Sequence, residues 1–261
     1  MGVLNVTPDS FSDGGQYSLI NTAVDQAEVM INAGAKIIDI GGESTRPGAR
    51  SVSLNEELDR VLPIIQRLRS SSDVIISIDT SKAEVMRQAV EAGATLINDV
   101  YALQQPGSIE MAAKLGVPIC LMHMQKNPEV MQQRPNYKNI LTEVDAFFNE
   151  RISACEREGI GIERLILDPG FGFGKTLDHN LMLLTNLSFF KHFSCPILVG
   201  LSRKSMLGLI SGKEVDQRLY ASLSAAVIAA LNGASILRVH DVAETIDAIS
   251  IVKAVQAYKA E

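Results

Sequence analysis

Residues Leu165-Ile166-Leu167-Asp168-Pro169-Gly170-Phe171-Gly172-Phe173-Gly174-Lys175 end a short aliphatic run on a carboxylate, then break it with Pro and three alternating glycines. Apolar runs of this length bounded by Pro and Gly read as buried strands. Asp168 then stands at the mouth of a sheet or barrel, although a single acid in such a place can simply cap a turn. The construction recurs along the chain. Short apolar runs lead into Asn5, into Glu43, Ser44, Thr45 and Arg46, into Asp79, and into Asn98 and Asp99. Later runs lead into His123, into Ser202, Arg203, Lys204 and Ser205, and into Arg238, His240 and Asp241. Turns would be served as well by Gly or Ser, so polar residues at every run end point to one functional face.

These residues have two chemical characters. Arg203, Lys204, Arg238 and His240 suit an anion, since Lys and Arg bind phosphate well and Arg does so bidentately. They predict an anionic, phosphorylated substrate, with Arg203 or Lys204 alone also readable as a solvated charge at a helix start. Asp79, Asn98 and Asp168 have the opposite character. Two carboxylates and an amide in an apolar mouth can read a ring edge rich in N–H donors, as in amino-pyrimidines and pterins. Asn5 can offer an oxygen to a hard cation such as Mg²⁺. The sequence shows no His/Cys spacing suited to zinc and no convincing nucleophile–base triad.

The elements that must position these groups alternate. Strands are expected at Met1–Leu4, Lys36–Ile40, Val74–Ile78, Leu96–Asn98, Val117–Leu121, Leu165–Leu167, Ile197–Val199 and Ile236–Val239. Helical periodicity covers Leu19–Ala33, Asn55–Arg69, Lys82–Ala92, Pro106–Leu115, Asn139–Glu158, Leu177–Phe190, Arg218–Leu231 and Val242–Tyr258. Helices that stop at Gly before a short apolar strand are expected αβ turns. Strict alternation implies right-handed crossovers and parallel strands. Eight such units in 261 residues match a (β/α)8 TIM barrel. An open doubly wound sheet competes with it, because alternation alone does not show closure. In a barrel, all the polar run ends converge on the active-site face. Residues 7–18 and 41–53 are rich in Gly, Ser and Pro and read as longer loops.

Composition narrows the classes. Apolar residues make up 46% of the chain, Trp is absent, and mean hydropathy is +0.13, so a sizeable aliphatic core can form in one domain over residues 1–261. A net charge of -6 gives no bulk case for nucleic acid. No apolar stretch approaches the roughly 20 residues that span a bilayer, so no membrane association is expected. Cys120, Cys155 and Cys195 form neither a metal spacing nor an even disulfide set, and with no evident signal peptide the expected location is cytoplasmic.

The motifs together resemble the dihydropteroate synthases. Asn5-Val6-Thr7-Pro8-Asp9-Ser10-Phe11-Ser12-Asp13-Gly14-Gly15 is similar to the first family signature, and Ile38-Asp39-Ile40-Gly41-Gly42-Glu43-Ser44-Thr45-Arg46-Pro47-Gly48 to the second. Ser77-Ile78-Asp79-Thr80-Ser81, the Asp168–Lys175 stretch, Ser202-Arg203-Lys204-Ser205 and Arg238-Val239-His240-Asp241 follow in family order. The resemblance covers the whole chain. It implies a (β/α)8 barrel that joins (7,8-dihydropterin-6-yl)methyl diphosphate to 4-aminobenzoate with Mg²⁺, in folate biosynthesis, as a homodimer and sulfonamide target. By the same resemblance, Asp79, Asn98, Asp168 and Lys204 hold the pterin, with Met122 and Gly200 lining its pocket. Arg238 and His240 hold the diphosphate, and Asn5 ligates the metal. Phe11, Thr45, Arg46, Pro47, Phe173 and Ser205 border the aminobenzoate, with Thr45 also near the pterin diphosphate. Asp79, Lys204, Arg238 and His240 carry the catalysis. The family usually has a short segment, often a hairpin, ahead of its first barrel strand, and Met1 begins inside that strand here.

Three rivals share parts of this pattern. A pterin-binding methyltransferase domain has the same barrel and Asp/Asn set, but Lys204, Arg238 and His240 together favour a diphosphate. A Schiff-base aldolase would use Lys204. A pterin carrier would not keep every charged strand end.

Overall fold

The computed structural model describes residues 1–6, 16–44, 51–125, 131 and 135–258. Among them are eight strands: β1 (Gly2–Asn5), β2 (Ile37–Gly41), β3 (Ile75–Asp79), β4 (Leu96–Asp99), β5 (Ile119–Met122), β6 (Leu165–Asp168), β7 (Leu198–Val199) and β8 (Ile236–Leu237). Helices lie between them: α1 (Gln16–Asn32), α2 (Leu54–Ser71), α3 (Ala83–Ala92), α4 (Ser108–Leu115), α5 (Ile140–Arg157), α6 (Leu177–Thr185), α7 (Ser205–Ser211), α8 (Leu219–Leu231) and α9 (Val242–Tyr258).

β1 to β6 form one parallel sheet in chain order, and β7 pairs β8 in parallel. Two single bridges join these sheets into a ring. Leu167 pairs Ile197, with the Leu167 N–H donating to Pro196 O at 3.0 Å. Gly2 pairs Val239, with the Val3 N–H donating to Val239 O at 3.0 Å and the Val239 N–H to Met1 O at 2.9 Å. The closed barrel, not the open sheet, is the fold.

Side-chain alternation sorts each strand into two environments. Ile38, Ile40, Ile76, Ile78, Ile97, Leu121, Leu165 and Leu167 belong to the large buried cluster that includes the helices. Leu96, Cys120, Ile166 and Leu198 form a second cluster with Met1 and Ile236. These are the inward positions, and they fill the lower barrel. One step of the alternation beyond them come Asn98, Met122, Asp168, Gly200 and Arg238. A strand that buries its even positions therefore has to deliver its polar end into the barrel mouth.

Several boundaries differ from expectation for local reasons. β5 starts at Ile119 instead of Val117, because Pro118 has no N–H to give the ladder. The helix expected over Leu177–Phe190 stops at Thr185, where Asn186 leaves helical geometry at φ -110°, and a 3-10 segment continues over Leu187–Phe193. α7 is an additional short helix in the excursion after β7. The long loops expected at 7–18 and 41–53 fall mostly outside the described residues.

Candidate active site

One cavity opens at the C-terminal ends of the strands. Val3, Asp79, Asn98, Met122, Asp168, Phe173, Gly200, Lys204, Arg238 and His240 line it, along with Val100, Phe171 and Ser202. Nine expected site residues are thus brought together. Asn5 is half-buried at the end of β1, outside that lining, and Ser205 is exposed at the start of α7. Phe11, Thr45, Arg46 and Pro47 lie outside the described residues.

Arg238 organises the polar floor. Its Nε donates to Asp39 Oδ2 at 2.6 Å and its Nη2 to Asp79 Oδ2 at 2.7 Å. Asn98 Nδ2 donates to the same Asp39 oxygen at 3.1 Å. Asp39 is fully buried, and its Oδ1 is without a hydrogen-bond partner. Burial is the largest influence on Asp79 and raises it to about 7. Arg238 opposes that rise, while Asp39, Glu57 and Asp99 add to it. Asp39 was not among the residues expected in the site. A lone acid in the aliphatic run Ile37–Ile40 was its signal: two residues before Gly41, it must share the inward face of β2.

The glycine loop after β6 supplies a second side. Asp168 Oδ1 accepts the Gly170 N–H at 2.7 Å. Burial raises Asp168, and the Gly170 N–H, Lys204, Lys175 and Arg238 moderate the rise. Gly170 has φ +69°, and a Cβ there would stand 1.9 Å from His123 O, so no other residue fits. The turn leaves the Phe171 carbonyl facing Lys204, whose Nζ donates to it at 2.7 Å. The same Nζ stands 4.1 Å from the centre of the Phe173 ring. Burial lowers Lys204 to about 8, with Asp168 opposing and Arg238 contributing.

Arg203 and Lys204, alike in sequence, part here. Arg203 has φ +59° and turns outward to pair with Asp241, which leaves Lys204 facing the cavity. Beside it, Ser202 Oγ accepts the His240 N–H at 3.2 Å and lies 3.0 Å from His240 Nδ1, fixing the ring against the β8 end. His123, another strand-end residue, is buried against Lys175 at 2.9 Å and does not line the cavity. Glu43 pairs Lys82, which also pairs the buried Glu57.

The cavity joins acceptors able to read an N–H-rich ring edge (Asp79, Asn98, Asp168) to cations suited to an anion (Lys204, Arg238). Among the described residues, no group of three or more His, Cys, Asp or Glu could hold a metal ion. Asn5, half-buried at the end of β1, is the oxygen donor that the sequence offers. Mg²⁺ keeps several waters and uses one or two protein oxygens plus substrate phosphates, so a sparse protein donor set fits it.

Comparison with known proteins agrees with this geometry. Residues 1–240 match the family described as pterin binding enzyme. The chain is 54% identical over 259 residues to dihydropteroate synthase of Escherichia coli (strain K12), covering 99% of this chain and 92% of that protein. It is 52% identical over 254 residues to dihydropteroate synthase of Haemophilus influenzae, covering 97% and 92%. The Yersinia pestis dihydropteroate synthase structure with a sulfonamide drug complex superimposes with a TM-score of 0.94 at 53% identity, covering 98% of this chain and 94% of that one. The Xanthomonas albilineans dihydropteroate synthase in complex with 7,8-dihydropteroate gives a TM-score of 0.90 at 46% identity, covering 98% and 93%.

Proposed function

The chain belongs to the pterin binding enzyme family, and within it to the dihydropteroate synthases, and we propose how its cavity carries out that transferase reaction. (7,8-Dihydropterin-6-yl)methyl diphosphate is joined to 4-aminobenzoate, releasing 7,8-dihydropteroate and diphosphate. The observation that carries this reading is the meeting of Asp79, Asn98 and Asp168 with Lys204, Arg238 and His240 around one cavity.

The pterin ring lies with its N–H edge on Asp168 and Asn98 and with Lys204 at its acceptor side. Met122 and Gly200 give it apolar walls. Arg238 and His240 receive the diphosphate: Arg238 has five N–H donors, of which Asp39 and Asp79 engage two. The methylene C–O bond breaks and its electron pair leaves with the diphosphate, where the Arg238 guanidinium and hydrogen bonding from the His240 ring stabilise the charge. Positive charge spreads over the pterin and Asp79 balances it. The arylamine nitrogen then attacks the methylene as the neutral form and afterwards sheds a proton, so no covalent enzyme intermediate is needed. Mg²⁺, held by Asn5, would add Lewis-acid stabilisation at the diphosphate.

The aminobenzoate lies against Phe173 and Ser205, with Phe11, Thr45, Arg46 and Pro47 at its border. The drug complex of the Yersinia pestis relative supports a sulfonamide-binding site in this chain too. One barrel domain over residues 1–261, a homodimeric state and a cytoplasmic location complete the proposal. Buried free Cys120, Cys155 and Cys195 suit a reducing compartment. Among the described residues, no helix is long and apolar enough to cross a membrane.

The test supplies both substrates and Mg²⁺ to the purified protein and follows dihydropteroate and diphosphate. Turnover that requires Mg²⁺ and falls at least about a hundredfold in Asp79→Asn supports the reading. Pterin binding without product would favour the methyltransferase or carrier instead.

A further inference from the structure

Lys175 is a buried charge that the mechanism above does not use. It is 4% exposed, and among the described residues its nitrogen meets carbonyls and a ring instead of a carboxylate. It donates to Gly170 O at 2.8 Å, to Phe173 O at 3.0 Å and to His123 O at 3.3 Å, and lies 2.9 Å from His123 Nδ1. Burying an ammonium with no carboxylate in hydrogen-bond contact is costly, and these hydrogen bonds, with the attraction of nearby Asp168, offset only part of that cost. Burial pushes both Lys175 and His123 well below their ordinary ranges. A position that is only structural would hold an apolar residue more cheaply.

The cage has a consequence for the cavity. The carbonyls of Gly170 and Phe173 turn inward onto Lys175, while the intervening carbonyl of Phe171 turns outward onto Lys204 at 2.7 Å. The Phe173 ring lies beneath the same Lys204 nitrogen. One short loop therefore holds two lysines by opposite faces. We propose that Lys175 is a positioning residue: it winds the glycine loop so that Phe171 O and the Phe173 ring hold the Lys204 ammonium at the pterin. This rests on the functional reading above.

A double-mutant cycle on the full-length protein tests it. The probe is 6-hydroxymethyl-7,8-dihydropterin, the unreactive alcohol of the substrate, and inorganic diphosphate serves as the control ligand. Lys175→Met and Lys204→Gln should each weaken pterin binding about tenfold, and the double variant should also weaken it only about tenfold, because residues acting through one group are not additive. Diphosphate binding by Lys175→Met should stay within about twofold of the parent. Pterin binding unchanged in Lys175→Met, or a double variant weakened about a hundredfold, would overturn the proposal. If Lys175→Met does not fold, Asn180→Ala replaces it. Asn180 Oδ1 accepts the Gly172 N–H at 2.7 Å and anchors the same loop from outside. The same non-additivity with Lys204→Gln is expected there, and additivity overturns the proposal. A parent protein that fails to bind the pterin overturns the functional reading and this one with it. A parent that binds, with an additive cycle, overturns this one alone.

Discussion

At the scale of single residues, the cavity sets two titrations close together. Asp79 is raised to about 7 and Lys204 lowered to about 8. The proposed chemistry needs Asp79 as carboxylate and Lys204 as ammonium. As pH rises, the first form is gained through about 7 and the second lost through about 8. The pH profile of kcat/KM for the pterin diphosphate should therefore be a narrow bell with those two limbs. Lys204→Gln should remove the alkaline limb from whatever activity remains, and an unchanged alkaline limb would exclude Lys204 as its source. The same Asp79 carries a stability cost. Its native value lies above the ordinary 3.8, so the native protein holds the proton longer than the unfolded chain does. Stability is then lost, not gained, as pH rises from about 4 to about 7. Asparagine imitates the protonated acid. Asp79→Asn should thus melt with the parent near pH 4 and above it near pH 8, even as activity is lost. A lower melting point at pH 8 would mean that the Arg238–Asp79 pair outweighs the burial of the carboxylate.

At the scale of elements, the polar strand ends and the glycine loop could be read from sequence because each leaves a strong local mark. An acid that closes an aliphatic run has little choice of direction once the alternate residues are buried, and Asp168 and Asp79 fall where that alternation puts them. Asp39 was harder to read, because it sits within its run instead of at the end. Its role depends on Arg238, which is far away in the chain and adjacent only across the closed barrel. Lys175 was harder still. Nothing local distinguishes a lysine after Gly174 that enters a carbonyl cage from one that enters water. The break at Asn186 likewise lies inside a segment of continuous helical periodicity. The glycine loop is also where local geometry has least freedom. Gly170→Ala brings a Cβ to 1.9 Å from His123 O at a φ of +69°. We expect it to cost at least about 2 kcal/mol of stability, and to perturb pterin binding at any temperature where the protein remains folded. Urea unfolding checks this, and a cost within experimental error would show that the loop can rewind without its glycine.

At the scale of the whole molecule, a chain of net charge -6 gathers Lys204 and Arg238 at one barrel end, where two anionic substrates must meet. The opposite kind of concentration occurs on the outside. α8 buries Ser222, Ala225, Ala226 and Ala229 and turns Tyr220, Ser224, Ile228 and Leu231 outward, an exposed stripe at helical spacing. Tyr220 is 80% exposed. α9 packs on α8 and adds exposed Ile251, Val255 and Tyr258, while α7 adds Leu209 and Ile210. Scattered exposed apolar residues are ordinary, but a run of them over three neighbouring helices is what an isologous dimer would cover. A second copy is the occupant that the proposed homodimer supplies. The parent should sediment as a dimer at micromolar concentration, and Tyr220→Glu with Ile228→Glu should sediment as a monomer. Each charge would have to be buried in the interface without a counter-charge, at about 1 kcal/mol or more. Neither Tyr220 nor Ile228 lines the catalytic cavity, so the monomeric variant should retain pterin binding. A parent that sediments as a monomer would remove the homodimer from the proposal while leaving the chemistry of the barrel mouth unaffected.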